Sequence, residues 1–175
     1  MTRANGVTLL RLGMTPLLVL AIVAGEWRVA TLIFTFAIVS DFADGFVARR
    51  YGEATALGGL ADHAVDAVFV AAGTGALAMA GTLPAPLPPL IVIAFLQYAL
   101  DSRAGLQRPL RRSSLGSWNG IAYYAILATP IVRDALELAW PSAPALRLAG
   151  WLLVASTGVS MLDRLRASTR RRGRE

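Results

Sequence analysis

Charged residues are scarce in this sequence, and cysteine and lysine are absent. Without cysteine, the chain can form no disulfide framework, thiolate metal site or cysteine nucleophile. Charged residues make up 16% of the 175 positions and hydrophobic residues 55%, whereas roughly a quarter of the residues of soluble domains are charged. These scarcities exclude a soluble globular enzyme as the starting class and favour a protein that lies in a lipid bilayer.

Apolar segments account for most of the chain. A helix that spans a bilayer needs roughly 20 mostly apolar residues, and about six segments reach or approach that length. The stretch 81–89 contains four prolines and must be a connection, because proline removes backbone donors from a helix. We therefore predict an all-α bundle of six transmembrane helices. The predicted helices cover residues 7–24, 29–49, 56–79, 90–104, 115–132 and 145–162.

The 17 basic residues are all arginine, and most lie at the termini or after the second and fourth apolar segments. Cytoplasmic flanks of membrane helices collect arginine, so we predict that both termini are cytoplasmic. The same rule accounts for the net charge of +6, and we expect no nucleic-acid partner. We predict one membrane catalytic domain, residues 1–166, and an arginine-rich cytoplasmic tail, residues 167–175. We expect the tail to be disordered or to lie against anionic headgroups, and a simple topology anchor is the plainer alternative.

Four aspartates lie within or beside the second and third apolar segments. Each charge in such a segment costs on the order of 3 kcal/mol, so something must compensate it. Asp41 and Asp44 are three positions apart and Asp62 and Asp66 four, so each pair shares one helix face. The two helices are antiparallel across a short loop, so the pairs can converge near the cytoplasmic end. Facing carboxylates repel unless a proton or cation intervenes, and oxygen-only ligands favour Mg²⁺, Mn²⁺ or Ca²⁺.

Small residues and an arginine accompany these acids. Gly45, Ala48 and Gly58 either let the helices pack closely or leave space for a flat ligand. Arg49 is either a topology residue that reaches the interface or an electrostatic partner of the acids. His63 is the only histidine and points about 100° away from its acidic neighbour around the helix, so we do not expect it to bind metal.

Residues 41–66, DFADGFVARRYGEATALGGLADHAVD, resemble the signature of the CDP-alcohol phosphotransferase family. That signature is Asp-x2-Asp-Gly-x2-Ala-Arg-x8-Gly-x3-Asp-x3-Asp, and the sequence matches it without a gap. The opening segment also resembles the start of phosphatidylglycerol-phosphate-synthase-like members, although Ala4 stands where they often have proline. The matching residues are Asp41, Asp44, Gly45, Ala48, Arg49, Gly58, Asp62 and Asp66 in the signature, and Asn5, Thr8, Arg11 and Pro16 in the opening segment.

The resemblance implies an enzyme like the phosphatidylglycerol-phosphate or phosphatidylinositol-phosphate synthases. Such an enzyme transfers a phosphatidyl group from a CDP-alcohol, here expected to be CDP-diacylglycerol, to an alcohol, here expected to be a phosphorylated polyol. It releases CMP. The resemblance also implies a homodimer among membrane lipids, and we expect a bacterial plasma membrane with the active site facing the cytoplasm.

The resemblance also assigns roles to residues. It implies that Asp41, Asp44, Asp62 and Asp66 hold Mg²⁺ or Mn²⁺, expected as two ions, and that Asp66 is also the general base. In the donor site it places Gly45, Ala48 and Gly58 around the cytidine and Arg49 near the acids or the diphosphate. Asn5 and Thr8 are also assigned to the donor site. Candidate ligands for the acceptor phosphate are Arg103, Arg111, Arg112 and Arg164, since guanidinium groups bind phosphate in bidentate fashion. Each of these four arginines is equally compatible with a topology role.

Three alternatives remain open from the sequence. The same chemistry with serine or a lipid as acceptor would leave the signature unchanged. A small cation transporter would also carry acids inside the membrane, but spread along its depth and not grouped at one end. An inactive membrane scaffold is the third alternative, and the presence of all eight signature residues gives no reason to prefer it.

Overall fold

The computed structural model describes the backbone of residues 3–51, 56–104 and 114–172, and the side chains of residues 9–42, 59–100 and 115–166. These residues form six helices and no strand, which confirms the predicted all-α class. The helices are α1 (Arg3–Val23), α2 (Trp27–Tyr51), α3 (Ala56–Met79), α4 (Leu87–Ala104), α5 (Ser114–Ala135) and α6 (Ala143–Arg172).

The helix boundaries lie within four residues of the predicted segments, except at the end of α6. α4 begins at Leu87 and not at residue 90, because Pro88 and Pro89 fall in its first turn, where backbone amides need no helical acceptor. α6 extends to Arg172 and not to residue 162, because arginine is a good helix former. It therefore continues without a break past residue 166, the predicted domain boundary.

Glycines end α1 and α3 in the same way. Gly25 and Gly81 both have a φ of 73°, a left-handed conformation that glycine adopts without a side-chain clash. The amide that follows each glycine then donates back to a carbonyl in the last helical turn, from Glu26 to Ala21 and from Thr82 to Leu77, at 2.9 Å in both cases. Both turns reverse the chain, so that α2 returns beside α1 and α4 beside α3.

Helices α1, α2 and α3 form one side of the bundle and bring the carboxylate-bearing segments together. α1 packs against both α2 and α3, while α5 contacts α2, α3 and α6 and α4 contacts α3 and α6. Leu18, Phe69 and Leu127 are fully buried between these helices. Gly73 of α3 permits the close approach, because an added Cβ there would lie 2.7 Å from Cδ1 of Leu127.

Two stretches among the described residues, Gly59–Met79 and Ala143–Arg166, are long and apolar enough to cross a bilayer. Leu9–Val23 and Leu87–Leu100 are apolar but shorter. The six predicted spans and the cytoplasmic termini therefore remain predictions. The outer surface is nevertheless apolar at many positions, with Leu32 71% exposed and Phe42 75% exposed.

Candidate active site and metal centre

Three of the four predicted aspartates meet between α2 and α3. Asp41, Asp62 and Asp66 each offer one carboxylate oxygen, and these oxygens all lie within 4.8 Å of one another. At 1.5 Å per residue, the three residues lie about 9 to 15 Å from the ends of their helices at residues 51 and 56. The predicted convergence of the two aspartate pairs is therefore observed for the three carboxylates that the structure describes.

Arg11 of α1 lies at the centre of these carboxylates. Its side chain is only 2% exposed, and its guanidinium forms ion pairs with Asp41 and Asp66 and a third with Asp62 at 3.4 Å. Nη2 faces Asp41, whereas Nη1 faces both α3 carboxylates. A planar guanidinium can serve several acceptors in this way, which a lysine ammonium does less well. One arginine thus connects the three helices at the acidic cluster.

The cluster keeps a negative charge and stays accessible to solvent. Three ionised carboxylates and one guanidinium leave a formal charge of −2 among the described side chains. Asp41 is 42% exposed, Asp62 39% and Asp66 21%, whereas Arg11 is buried. The carboxylates are therefore exposed to a ligand on one side, while the guanidinium of Arg11 lies buried among them.

Tyr124 of α5 approaches the cluster from another side. Its hydroxyl interacts with the Asp66 carboxylate, and its ring lies 6.4 Å from that of Phe34 on α2. Asp66 is therefore held by both α1 and α5 while it extends from α3. Among the three described aspartates, it is also the most buried.

The described residues fit a hard divalent cation. Mg²⁺ and Mn²⁺ prefer oxygen ligands, and one or two carboxylates commonly share such an ion with substrate phosphates. The three oxygens lie close enough together for one ion, and the residual charge of −2 balances a divalent ion. The predicted ligand Asp44 lies outside the described side chains, so the number of ions stays a prediction.

Most of the predicted donor and acceptor residues also lie outside the described side chains. They are Asn5, Thr8, Gly45, Ala48, Arg49, Gly58, Arg103, Arg111 and Arg112.

Arg164 is the one described member of the predicted acceptor set. Its guanidinium carbon lies 5.6 Å from the ring centre of Tyr98 on α4, a cation–π arrangement. It also lies against Gly116, where an added Cβ would stand 2.5 Å from Nη2. His63 meets the same tyrosine ring edge-on at 5.9 Å, so Tyr98 links α3, close to Asp62, with the arginine on α6.

Polar side chains also join α5 to α6. Ser156 donates to Oδ1 of Asn119 at 2.7 Å, and the hydroxyls of Tyr123 and Thr157 lie 2.8 Å apart. Asn119 and Thr157 are buried, and hydrogen bonds of this kind hold helices together where apolar burial provides little driving force. These contacts fix α6, and with it Arg164, relative to α5.

Arg11 and Tyr124 are two residues of the site that were not predicted from the sequence. Arg11 was part of the resemblance of the opening segment only, although an arginine inside an apolar run needs a partner and is itself a sign of function. Tyr124 gave no comparable signal, because tyrosine is common in helices that lie near a membrane surface.

The structure defines an all-helical bundle in which three carboxylates converge. The model of the CDP-alcohol phosphatidyltransferase family matches residues 1–161, and the chain belongs to this family. This confirms the family predicted from residues 41–66. The protein is accordingly a transferase of phospholipid biosynthesis, in a family of membrane-associated enzymes.

Several named proteins are similar to the chain. A probable phosphatidylglycerophosphate synthase of Mycobacterium tuberculosis is 32% identical over 170 residues, which cover 92% of this chain and 80% of that protein. The CMP-forming cardiolipin synthase of Homo sapiens is 29% identical over 92 residues, 52% of this chain and 31% of that protein. A CDP-diacylglycerol–glycerol-3-phosphate 3-phosphatidyltransferase of Pectobacterium atrosepticum is 42% identical over 67 residues, 37% of each chain.

Proposed function

We propose that this protein transfers the phosphatidyl group of CDP-diacylglycerol to a phosphorylated polyol and releases CMP. Glycerol 3-phosphate is the acceptor to test first, because the relative from M. tuberculosis is named a probable phosphatidylglycerophosphate synthase and the name of the relative from P. atrosepticum includes glycerol 3-phosphate. The main observation that supports the proposal is that one carboxylate oxygen from each of Asp41, Asp62 and Asp66 lies within 4.8 Å of the others. A transporter pathway would instead distribute its acids along the membrane depth.

Asp66 is the proposed general base. An alcohol is a weak nucleophile at neutral pH, so a carboxylate must accept its proton as the oxygen attacks phosphorus. The new oxygen–phosphorus bond forms at the phosphatidyl phosphorus, and the bond from that phosphorus to the bridging oxygen breaks. CMP leaves with the electron pair of the broken bond. Arg11 and the interaction with Tyr124 keep the Asp66 carboxylate in place for this step.

Asp41, Asp44, Asp62 and Asp66 are the proposed ligands of Mg²⁺ or Mn²⁺, with two ions expected. When bound, such ions neutralise the donor diphosphate and orient it. The incomplete exposure of the three described carboxylates supports a site that is reached from one end of the bundle.

The remaining substrate contacts are proposed from the resemblance and from position. Gly45, Ala48, Arg49, Gly58, Asn5 and Thr8 form the donor site, and Arg103, Arg111, Arg112 and Arg164 are candidates for the acceptor phosphate. Arg164 is supported by its contact with Tyr98, since Tyr98 also contacts His63 beside Asp62. An anionic acceptor held at Arg164 would thus lie on the side of the bundle that carries the carboxylates.

We further propose that all six helices span the membrane, that both termini and the active site face the cytoplasm, and that the protein is a homodimer in a bacterial plasma membrane. The apolar outer surface supports the membrane location, because large exposed apolar areas mark contact with lipid or protein. The distribution of arginine supports the orientation.

The reaction is tested by measuring CMP release from CDP-diacylglycerol by the purified protein in detergent with Mg²⁺. The acceptors are glycerol 3-phosphate, inositol phosphate, inositol, serine and phosphatidylglycerol, each supplied alone. Release that depends on glycerol 3-phosphate and stops with EDTA is the expected result. Release with phosphatidylglycerol alone would instead favour the second candidate, a cardiolipin synthase, which the partial similarity to the human enzyme supports.

Replacing Asp66 by Asn tests the proposed base. We expect CMP release to fall by about 10²- to 10⁴-fold, the usual contribution of general base catalysis. Asp134→Asn is the matched control, because Asp134 is 23% exposed, pairs with Arg133 at 2.6 Å and lies at the opposite end of the bundle. Equal activity of the Asp66 and Asp134 variants would contradict the assignment of the base.

A further inference from the structure

Arg11 occupies the position among the carboxylates that a cation is expected to fill. It reaches Asp41, Asp62 and Asp66 with two guanidinium nitrogens, and its side chain is 2% exposed. Nη1 serves both Asp62 and Asp66, and Nη2 serves Asp41. The oxygens that the guanidinium contacts are the Oδ1 atoms of all three residues.

We propose that Arg11 is a built-in counter-cation of the metal site, which holds the three carboxylates together until a divalent ion binds and competes with that ion for them. The inference rests on the proposed metal site. It adds a positioning residue from α1 that sets how tightly the site holds its metal.

Two physical requirements favour this role over a purely structural ion pair. Facing carboxylates repel, so a cluster that must exist before the metal binds needs a resident positive charge. A divalent ion at the same oxygens then meets the repulsion of the buried guanidinium, which is screened less than a surface charge would be. Arg11 therefore makes the metal-free site possible and at the same time weakens its affinity for metal.

The test is Mn²⁺ binding by purified protein in detergent, measured by electron paramagnetic resonance of the free ion, together with thermal unfolding at several Mn²⁺ concentrations. The variants are Arg11→Gln, which removes the charge, and Arg11→Lys, which keeps it. The guanidinium of Arg11 and a divalent ion at the same carboxylates repel each other strongly, because the effective dielectric constant at a buried site is low. We therefore expect Arg11→Gln, which lacks this charge, to bind Mn²⁺ on the order of tenfold more tightly. Arg11→Lys should stay within about threefold of the unmodified protein, because its charge is the same.

Thermal unfolding provides a second readout that a structural ion pair would not give. Without metal, Arg11→Gln should unfold at a lower temperature than the unmodified protein, and added Mn²⁺ should raise its unfolding temperature by more. Arg28→Gln is the control, since Arg28 is 81% exposed and pairs with Glu137 at the other end of the bundle. It should leave both Mn²⁺ affinity and the Mn²⁺ response unchanged.

The possible results separate the two proposals. The proposed metal site itself is wrong if the unmodified protein does not bind Mn²⁺, or if Asp62→Asn binds Mn²⁺ as tightly as the unmodified protein does. If the unmodified protein binds Mn²⁺ through Asp62 but Arg11→Gln binds it equally or more weakly, the role of Arg11 as a competing cation is wrong. An Arg11→Gln protein that stays unfolded even with Mn²⁺ would also overturn that role, because the metal should replace the missing charge.

Discussion

At the scale of single residues, two consecutive tyrosines of α5 serve different neighbours. Successive helical residues point about 100° apart, so Tyr123 turns towards α6 and pairs with Thr157 at 2.8 Å, while Tyr124 turns towards Asp66. The hydroxyl of Tyr123 thus joins two helices, whereas the hydroxyl of Tyr124 contacts the proposed base. Removing one hydroxyl at a time distinguishes the two.

Tyr124→Phe should lower the turnover number for CMP release by about fivefold. A typical hydrogen bond contributes about 1 kcal/mol net, and here its loss lets the Asp66 carboxylate depart from its reactive position. Turnover and the Michaelis constant for the acceptor should be measured separately, and we expect the change mainly in turnover.

Tyr123→Phe is the matched control for this change. It removes a tyrosine hydroxyl at the adjacent position. We expect turnover to be unchanged and the free energy of unfolding to fall by about 1 kcal/mol. If the two variants lose turnover to the same extent, the effect belongs to the packing of α5 and not to Asp66.

At the scale of helices, small residues decide where two elements can approach. Gly150 of α6 is buried against the connection between α3 and α4, where an added Cβ would meet Cδ of Pro84 and lie 3.0 Å from its Cγ. A proline ring cannot move aside as a flexible side chain can. Gly158, on the same helix, has no atom within 4 Å of an added Cβ.

Gly150→Ala should therefore destabilise the protein by about 1 to 3 kcal/mol, the usual cost of overpacking. Gly158→Ala should be neutral or stabilise it by up to about 1 kcal/mol, because alanine favours the helix. Thermal unfolding of both variants in one detergent measures the difference. An unfolding temperature for Gly150→Ala that matches or exceeds that of Gly158→Ala would show that α6 can shift away from Pro84.

Local sequence features predict the helices well and the contacts of the site only in part. The bounds of α3 agree with the prediction, because glycine, proline and charged residues interrupt the apolar pattern on both sides. The spacing of Asp62 and Asp66 likewise predicts a shared helix face. The ion pairs of Arg11 cannot be predicted from local spacing, because the three partner carboxylates lie 30 or more residues away. These contacts depend on how three helices pack. The contact of Tyr124 depends in the same way on the rotation of α5 about its own axis.

At the scale of the whole molecule, ion pairs separate into two groups along the bundle. Arg11 and the aspartates lie towards one end, whereas the pairs Arg28–Glu137 and Arg133–Asp134 lie towards the other. The second end includes the turn between α5 and α6, where Ala139 is exposed. The predicted orientation places this turn outside the cytoplasm.

The absence of cysteine from the sequence makes this orientation directly testable. A membrane-impermeant maleimide applied to intact bacterial spheroplasts should label Ala139→Cys but not Glu175→Cys, because the arginine-rich terminus is predicted to lie inside. After the membrane is opened with detergent, both cysteines should react. Labelling of Glu175→Cys in intact spheroplasts would reverse the proposed topology.

The contacts of Arg11 also constrain how the chain can be assembled during its synthesis. The ribosome produces α1 first, and Asp41 follows 30 residues after Arg11, Asp62 after 51 and Asp66 after 55. If α1 spans the membrane as proposed, an arginine without a partner is costly there, and Arg11 gains its partners only once α2 and α3 have been made. Under the proposed topology, the first three helices therefore enter the membrane most favourably as a group, and the acidic cluster assembles at the earliest stage of biogenesis.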